Sequence, residues 1–408
     1  METIYFAKWI LLESGELLTN GAISISENRI CSVGPRSKVR RGSRERIVNL
    51  GDSMVLPGLI NMHTHLEDSV LRGTQKDPDE TFTTWDIKNH ARVRQASPEA
   101  VKTSIKLKIR ELLAQGITTV VDNSRLGYSY DVLKNESIRS VIINELTIDD
   151  PAAESQSLEK FLSTLPQATS KVEIGLGPHG IYSLSKTAHQ RILSHIKQND
   201  LLWTVHIAES AEELHAFSEK RGDLYFQITR KQPWPFDDAS IGSMNYALQN
   251  ELIPDQGICI HCNYVNGTEL ECLADKNVSI VICHSYTQEL GHKAFPLDVA
   301  RNRNILICLG TEGVAAPGIT TLFDELFSLK NAYPHISAAE MLKWVTINPA
   351  IALKMQDQLG SLSPGKLADI IAVRFTYDPL KDPIEELLMS EPEITAVIIN
   401  GEEIVTNY

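Results

Sequence analysis

The sequence lacks any apolar run near the roughly 20 residues that a membrane-spanning helix needs. Its first residues, METIYFAKWILLESGE, also lack the layout of a secretory signal peptide. These two absences predict a cytoplasmic protein that does not bind a membrane. An excess of basic residues is missing as well, because the net charge is −13 and the one basic stretch, residues 35–45, is short. Nucleic acid is therefore not an expected partner, since its phosphates attract positively charged proteins.

Cysteine is scarce, with six residues in a chain of 408. Cys259 and Cys262 form a C-x-x-C pair, but a tetrathiolate zinc site needs a second close pair, and the sequence has none. Other cysteines, such as Cys283 and Cys308, lie inside apolar, strand-like runs. We therefore interpret the cysteines as core residues of a reduced protein rather than as disulfides or a zinc knuckle.

The two ends of the chain have a β-rich pattern. Residues 1–56 alternate short β-like runs with turn residues and contain no convincing helix. Residues 360–408 have the same pattern, with Asn400 and Gly401 as a hairpin turn. We predict one small β-sandwich domain built from 1–56 and 360–408, in which each end covers strand edges that the other leaves open.

Residues 57–359 instead alternate short apolar strands with helical stretches. Eight such strands, most of them followed by a helix, predict an α/β fold, a parallel (β/α)₈ TIM barrel that forms the catalytic domain. An open doubly wound sheet is the competing architecture, but its glycine-rich loop after the first strand is absent. The predicted strands are 58–65, 118–123, 141–145, 173–179, 202–206, 258–261, 279–284 and 305–311. The predicted helices are 98–115, 153–165, 186–198, 211–219, 267–276, 322–332 and 338–345.

Histidines collect at the carboxyl ends of the predicted strands, where such barrels place their working residues. A single His-x-His pair, or one histidine at a strand end, is often only structural. Six of the twelve histidines in this position make the structural interpretation improbable. The six are His63, His65, His179, His206, His261 and His284. Two carboxylates accompany them, because Glu209 lies three residues after His206 and Glu312 directly follows the eighth strand.

These residue types are suited to hydrolysis that is assisted by a metal. His63, His65, His206 and Glu312 supply the imidazoles and the carboxylate that one divalent ion, zinc or iron, accepts with a position left for water. Such an ion lowers the pKa of that water, and Glu312 could accept its proton. Glu209 could carry a proton to the substrate or leaving group, and His261 could hydrogen-bond the reacting oxygen. The alternative for Glu209 is an acidic residue in the first turn of the next helix, where it complements the helix dipole.

Motifs along nearly the whole chain resemble the amidohydrolase superfamily, and within it the cytosine-deaminase-like branch. That branch includes deaminases of S-adenosylhomocysteine and methylthioadenosine, guanine, pterins and aminodeoxyfutalosine, and also the chlorotriazine hydrolases. The resemblance rests on PGLINMHTHL with Arg72–Gly73, QGITTVVD, GPHGIYSLS, HIAE, HCNYV, LGTEG, NPAIAL and GSLSPGKLADI.

The resemblance implies a role for each candidate residue. It makes His63, His65 and His206 metal ligands, His261 the histidine near the water, and Glu209 the proton shuttle of deaminases. It also implies that Trp85, His179 and His284 bind the substrate, with His284 as the strand-seven histidine beside the metal. Relatives that expel chloride from triazines often lack the shuttle glutamate, so its presence favours the release of an amine.

Two departures from the family pattern affect the site. The strand-eight position is usually aspartate, whereas this chain has Glu312, whose extra methylene moves the carboxylate by about 1.5 Å. After strand seven, relatives often read HCPxSN, whereas residues 282–287 read ICHSYT, so substrate contacts there are expected to differ. The long segment 221–240 either covers the mouth of the pocket or forms a packed surface loop.

We therefore expect a metal-dependent hydrolase that removes an amino group from a nitrogen heterocycle, with an adenosine-like nucleoside as the first choice. The alternatives are hydrolysis of another C–N or C–Cl bond on a heteroaromatic ring, and a degenerate binding protein on a hydrolase scaffold. The expected partner is a small heterocyclic substrate. The resemblance implies a homodimer or homotetramer.

Overall fold

The structure is a computed structural model that describes residues 2–39, 45–148, 150–236, 242–313, 321–377, 379, 382–390 and 392–406. Part of the basic stretch 35–45 and part of the segment 221–240 lie outside these ranges. Among the described residues, no helix combines the length and apolar character that a membrane crossing requires.

The first five strands belong to a sheet that both ends of the chain build. They are β1 (Glu2–Leu11), β2 (Leu17–Ser26), β3 (Arg29–Pro35), β4 (Arg46–Asn49) and β5 (Met54–Pro57). β1 pairs with β2 in antiparallel fashion and with β4 and β5 in parallel.

The middle of the chain forms a parallel barrel whose eight strands follow chain order. Each predicted strand is present, with ends within a few residues of the prediction. The strands are β6 (Leu59–Thr64), β7 (Ile117–Ser124), β8 (Arg139–Leu146), β9 (Val172–Pro178), β10 (Leu202–Ile207), β11 (Ile258–His261), β12 (Ser279–Ile282) and β13 (Leu306–Leu309). A parallel bridge between Thr64 and Glu312 joins the last strand to the first. The predicted TIM barrel is confirmed.

Helices surround the barrel. They are α1 (Phe82–Gln95), α2 (Pro98–Ala114), α3 (Tyr128–Leu133), α4 (Glu154–Ser163), α5 (Lys186–Asn199), α6 (Ala211–Glu219), α7 (Asp223–Thr229), α8 (Ser243–Gln249), α9 (Gly267–Asp275), α10 (His284–Glu289), α11 (Leu297–Arg301), α12 (Leu322–Ala332), α13 (Ala338–Lys343), α14 (Ile347–Ala352) and α15 (Pro383–Met389). Side-chain caps set several starts, as where Asn266 and Glu269 form a capping box before α9.

The last strands return to the first sheet. They are β14 (Ile370–Arg374), β15 (Glu393–Ile399) and β16 (Glu402–Thr406), and β14 pairs with β5. Along the sheet, β16 and β1 are four strands apart, which would separate them by about 19 Å if the sheet were flat. The Tyr5 hydroxyl nevertheless donates to Glu403 at 2.7 Å, so the sheet curls over to enclose its own core. The second domain built from both termini is thus present, and its bounds at 56 and 360 stay a prediction.

The β-only pattern expected for residues 360–408 was wrong in one place. α15 lies between β14 and β15, where Asp382 caps its start through the Ile384 N–H at 2.9 Å and Pro383 occupies the first turn. A helix of two turns leaves a weak periodic signal, so the turn-like residues before it dominated the pattern.

Candidate active site

Four side chains meet where the barrel strands end. His63 and His65 come from β6, His206 from β10, and Glu312 from the segment after β13; all four are buried. Nε2 of His206 lies 3.2 Å from Nε2 of His63 and 3.3 Å from that of His65. The Glu312 carboxylate lies 2.8 Å and 3.2 Å from the same two nitrogens. The structure therefore brings together the four residues predicted as metal ligands.

Hydrogen bonds at the other ring nitrogens orient these imidazoles. Nδ1 of His206 lies 2.8 Å from the His179 carbonyl, and Nδ1 of His65 lies 3.1 Å from the Asn123 carbonyl. Each N–H donates to its carbonyl, which leaves Nε2 for an ion, as is usual around metals in proteins. The Arg125 guanidinium is also 3.1 Å from Nδ1 of His65, but two N–H donors cannot bond each other, so the carbonyl is the partner.

The geometry of the four ligand atoms fits a divalent metal. Bonds of about 2.0 Å in a tetrahedron place ligand atoms about 3.3 Å apart, close to the separations of 2.8 to 3.3 Å found here. Oε2 of Glu312 and Nε2 of His261 are buried without an aligned hydrogen bond among the described residues. Buried polar atoms are normally satisfied, so these two indicate that the cluster is built around a bound species.

The backbone is strained where it presents two of these side chains. Glu312 has φ of 58° and His261 has φ of 71°, the left-handed region that non-glycine residues rarely occupy. Such conformations cost about 1–3 kcal/mol each and concentrate at functional sites. Gly310 precedes Glu312, and a Cβ there would lie 2.6 Å from Cβ of His63, so only glycine allows this close approach of the eighth strand to the first.

Glu209 lies beside the ligand cluster and is held in place through its backbone. Its N–H donates to Glu213 at 2.9 Å, and its carbonyl accepts from the Asn263 side chain at 3.0 Å. Burial, together with the negative charges of Glu312 and Asp86, raises the pKa of Glu209 well above its usual range. Glu209 therefore favours its protonated form and can act as a proton donor.

His261 lies between the two carboxylates. Its Nε2 is 3.5 Å from Oε1 of Glu209 and 3.6 Å from Oε2 of Glu312. Burial lowers the pKa of His261 to about 3, so the ring is neutral and can either donate or accept one hydrogen bond. The Tyr286 ring stacks on it with centroids 5.8 Å apart, which fixes the plane of the imidazole.

His179 belongs to a charged group at the edge of the cluster. Its Nδ1 lies 2.7 Å from Glu145, and its Nε2 lies 3.8 Å from Asp86. Burial opposes a charge on the ring, but the carboxylates of Glu145 and Asp86 outweigh it and raise the pKa of His179 to about 10. Arg125 lies on the other side of Glu145 at 2.9 Å. Unlike His206, His179 therefore carries a positive charge.

Two cavities that share part of their lining lie at these residues. The inner one is small, reaches His65, Glu209 and Glu312, and is walled by Trp85, whose buried Nε1 has no hydrogen-bond partner among the described residues. The outer one has a volume of about 380 Å³ and shares its Asp86 and His179 lining with the inner cavity. Helix α7, inside the segment 221–240, lines the outer cavity, so the described part of that segment borders the pocket.

His284 is not brought to this site. It is the first residue of α10 and lines a separate small cavity with Asn263 and Tyr333. Val281 packs inside the barrel, whereas Ile280 and Ile282 pack towards the helices. Because side chains alternate along a strand, Cys283 follows Val281 inward and His284 follows Ile282 outward. Accordingly Cys283, and not His284, groups with His261 and Glu312.

Several residues that line the inner cavity or contact its lining were not singled out from the sequence. They are Asp86, Arg125, Glu145, Glu213 and Tyr286. Glu145 stands at the end of a predicted strand, as the histidines do, so the rule that selected the histidines could have found it. Arg125 and Tyr286 lie just beyond strand ends in loops or short helices, where the sequence carries no such signal.

Comparison with known proteins gives the family. The model of the amidohydrolase family matches residues 54–404, which includes all of the barrel, β14, β15 and the start of β16. The chain belongs to the amidohydrolase family. Members of this family bind a metal, which agrees with the cluster of His63, His65, His206 and Glu312 in this amidohydrolase.

Named relatives and solved structures extend the comparison. A 5-methylthioadenosine/S-adenosylhomocysteine deaminase of Teredinibacter turnerae is 25% identical, over 98% of this chain and 91% of the relative. The structure of Helicobacter pylori aminofutalosine deaminase with methylthio-coformycin aligns at a TM-score of 0.85 and 19% identity, over 99% of this chain and all (100%) of that one. The structure of atrazine chlorohydrolase TrzN of Arthrobacter aurescens, complexed with zinc, aligns at a TM-score of 0.83 and 19% identity, over 99% of this chain and 95% of that one.

Proposed function

We propose that this amidohydrolase hydrolyses the amino group of an adenosine-like nucleoside and releases ammonia. The observation that carries the proposal is the pair of glutamates that face one cavity with opposite ionisation. Burial and neighbouring carboxylates raise the pKa of Glu209, whereas His63 and His65 overcome the effect of burial and hold the pKa of Glu312 well below its usual range. Such a divergence assigns an acid and a base.

The chain's own residues then have the following roles. Glu312 accepts a proton from the attacking water, whose oxygen bonds to the amine-bearing ring carbon. Glu209 gives its proton to the adjacent ring nitrogen, which takes the electron pair of the C=N bond. His261 hydrogen-bonds the oxygen as its charge changes. Glu312 then passes the water proton to the amino group, the C–N bond breaks, and ammonia leaves. Glu209 regains its proton from the new hydroxyl group, whose oxygen becomes the carbonyl of the product.

A divalent metal, which we propose to be zinc with iron as the alternative, would be held by His63, His65, His206 and Glu312. When bound, it would supply Lewis-acid chemistry that makes water acidic near neutral pH. Zinc is present in the TrzN structure. The protein residues orient the ligand imidazoles and exclude bulk water, because all four ligands are buried.

The two cavities support a nucleoside as the substrate class. The inner cavity, of about 20 Å³, ends at Glu209 and Glu312 beside Trp85 and has room only for the reacting edge of a heterocyclic ring. The outer cavity has room for a sugar and a further substituent at about 380 Å³. His179 lines both cavities, so we propose that it contacts the substrate between base and sugar; His284 has no part in this proposal.

The test is product formation by purified protein loaded with zinc or with iron(II). Methylthioadenosine, S-adenosylhomocysteine, adenosine, aminodeoxyfutalosine, a pterin and atrazine are supplied one at a time, and ammonia and chloride are measured. We expect ammonia in a one-to-one ratio with consumed nucleoside, loss of activity on chelation, and recovery on reloading.

Chloride released from atrazine without ammonia from any nucleoside would instead support the C–Cl alternative. Nucleoside binding by the metal-loaded protein without any product would support the degenerate binding protein. The homodimer or homotetramer and the cytoplasmic location also stay predictions; light scattering on the same sample tests the first.

A further inference from the structure

A second group of metal-ligating side chains lies beside the four-residue cluster. Asp86 and His90 are four residues apart on α1, so both project from one face of that helix. Nε2 of His90 lies 3.1 Å from Oδ1 of Asp86, and Nε2 of His179 lies 3.8 Å from Oδ2. The rings of His90 and His179 have centroids 5.1 Å apart. One ligand atom from each of the three residues lies within 4.8 Å of the others.

These separations suit one ion. The two measured values bracket the separation of about 3.3 Å expected for ligand atoms around a tetrahedral zinc-like ion. Two imidazoles and one carboxylate are the ligands that zinc accepts in sites with an open position. Asp86, with a side chain 25% exposed, is more open than His90 at 16%, so an ion could enter from the cavity.

Two further features point to a ligand. Nε2 of His90 is buried and has no aligned hydrogen bond among the described residues, which leaves it available for a bound species. Glu145 lies 2.7 Å behind Nδ1 of His179. A carboxylate this close to Nδ1 favours the ring proton at that nitrogen, although the pair is not aligned as a hydrogen bond, and it leaves Nε2 for a metal, much as in the carboxylate–histidine–zinc arrangement.

We propose that Asp86, His90 and His179 form a second binding site for a divalent transition metal. The site lies at the junction of the two cavities, because Asp86 and His179 line both of them. An ion there would occupy space that a substrate crosses and would compete with the substrate for His179. Excess metal should therefore inhibit the enzyme.

The second ion should bind more weakly than the first. It has three protein ligands instead of four. The two sites should consequently fill in sequence as metal is added.

The test is a titration of metal-free protein with Co²⁺, followed by visible absorption and by equilibrium dialysis. Wild type is compared with His90→Gln, which removes one ligand of the second site and none of the first. The matched control is His215→Gln. His215 faces Glu219 four residues on at 3.8 Å along α6, but it belongs to no three-ligand group among the described residues.

We expect two Co²⁺ per chain in wild type and in His215→Gln, with the second at least about 10-fold weaker than the first. His90→Gln should take one. If wild type saturates at one ion, or if His90→Gln still takes two, the proposal fails. If His90→Gln does not fold, Asp86→Asn replaces it as the test variant, and it should also bind one Co²⁺ per chain. The measured quantity is the number of metal ions bound per chain, so the result does not depend on whether the protein deaminates a nucleoside.

Discussion

At the scale of single residues, the environment of a carboxyl group decides its chemistry. Glu209 and Glu312 are both buried and both lie within 3.6 Å of His261. Glu312 contacts two imidazoles and stays ionised, whereas Glu209 faces other carboxylates and favours its proton. The same residue type thus supplies a base and an acid a few ångströms apart.

Replacing Glu209 tests the proton transfer. Glu209→Gln keeps the size of the side chain but removes the proton that can be transferred, so turnover should fall by about 10²–10⁴-fold. Metal content should not change, because Glu209 is not one of the four ligands. Ammonia release and metal analysis on the same sample measure both. Glu219→Gln, exposed on the neighbouring helix, is the control, and activity within tenfold of wild type in Glu209→Gln would rule out the shuttle role.

Glu312 stands where the family usually has aspartate. The sequence left open whether its longer side chain would still reach the metal position. In the structure its carboxylate lies 2.8 Å and 3.2 Å from the two histidines of β6, within the ligand cluster. Glu312 has a left-handed backbone with φ of 58°, and its carboxylate remains within the cluster despite the extra methylene.

At the scale of elements, α1 forms the cavity wall through contacts at its first turn. Glu212 of α6 accepts from the N–H groups of Phe82 and Thr83 at 2.7 and 3.0 Å. A carboxylate at this position satisfies two N–H groups that a helix start leaves unpaired and complements the helix dipole. The position of Trp85 and Asp86 on α1 therefore depends on a residue about 130 positions away.

Removing this anchor should affect binding more than chemistry. Glu212→Ala deletes two hydrogen bonds to a charged group, each worth about 1.5–3 kcal/mol, so α1 should loosen. We expect KM to rise about tenfold or more while kcat stays within a few-fold, since none of the reacting groups moves. Steady-state kinetics and hydrogen exchange of α1 measure the two effects, with Glu219→Ala as control. A fall in kcat at unchanged KM and unchanged exchange would contradict this role.

A buried glutamate joins α12 to α10 and gives a pH dependence. Glu325 accepts the Ser285 N–H at 3.1 Å. Burial outweighs this hydrogen bond and raises the pKa of Glu325 to about 7, above the ordinary 4.5. The folded state therefore holds this proton more tightly than the unfolded state, and stability falls as pH rises from 4.5 to 7.

Glu325→Gln should remove that dependence. The amide keeps an oxygen for Ser285 but cannot ionise, so above pH 7 the variant should gain up to about 3 kcal/mol over wild type. Thermal unfolding at pH 5 and pH 8 measures it; the gain should be smaller at pH 5. Glu271→Gln, exposed on α9, should match wild type at both values. A lower midpoint for Glu325→Gln at pH 8 would mean that the ionised carboxylate is stabilising.

At the scale of the whole molecule, a buried ion pair joins the barrel to the terminal sheet. Arg139, at the start of β8, contacts Asp369 at 3.2 Å and donates to the Asn400 side chain at 2.7 Å. Asp369 also accepts the Asn400 N–H at 2.8 Å. Asn400 turns the last hairpin, so this group fixes the C-terminal strands against the bottom of the barrel.

Breaking this pair should be costly. Arg139→Met leaves Asp369 buried without its cation, which should destabilise the protein by about 3–5 kcal/mol. Arg301→Met is the matched control, because its partly exposed pair with Glu340 should contribute at most about 1 kcal/mol. Denaturant unfolding compares them. If both variants lose the same free energy of unfolding, the Arg139–Asp369 pair contributes no more than the partly exposed pair. The double variant Arg139→Met/Asp369→Leu should recover part of the loss, because it leaves no buried charge unpaired.

The sequence by itself determined the barrel and the four candidates for the ligand cluster. Parallel strands are buried on both faces and appear as short apolar runs, and their carboxyl ends must meet at one mouth. That rule alone placed His63, His65, His206 and Glu312 together. The curled terminal sheet was also indicated, since each β-rich end needs the other.

Only the tertiary structure decided how side chains at the mouth pair with one another. Asp86, Glu145 and His179 come from three separate parts of the chain, and no local pattern encodes their separations. The direction of His284 was decided by where β12 ends, because a single residue of register moves a side chain from the barrel interior to its outer face. Long-range packing fixes such registers. A sequence pattern that alternates every two residues shows which side chains share a face of a strand, but not which of the two faces lines the barrel interior.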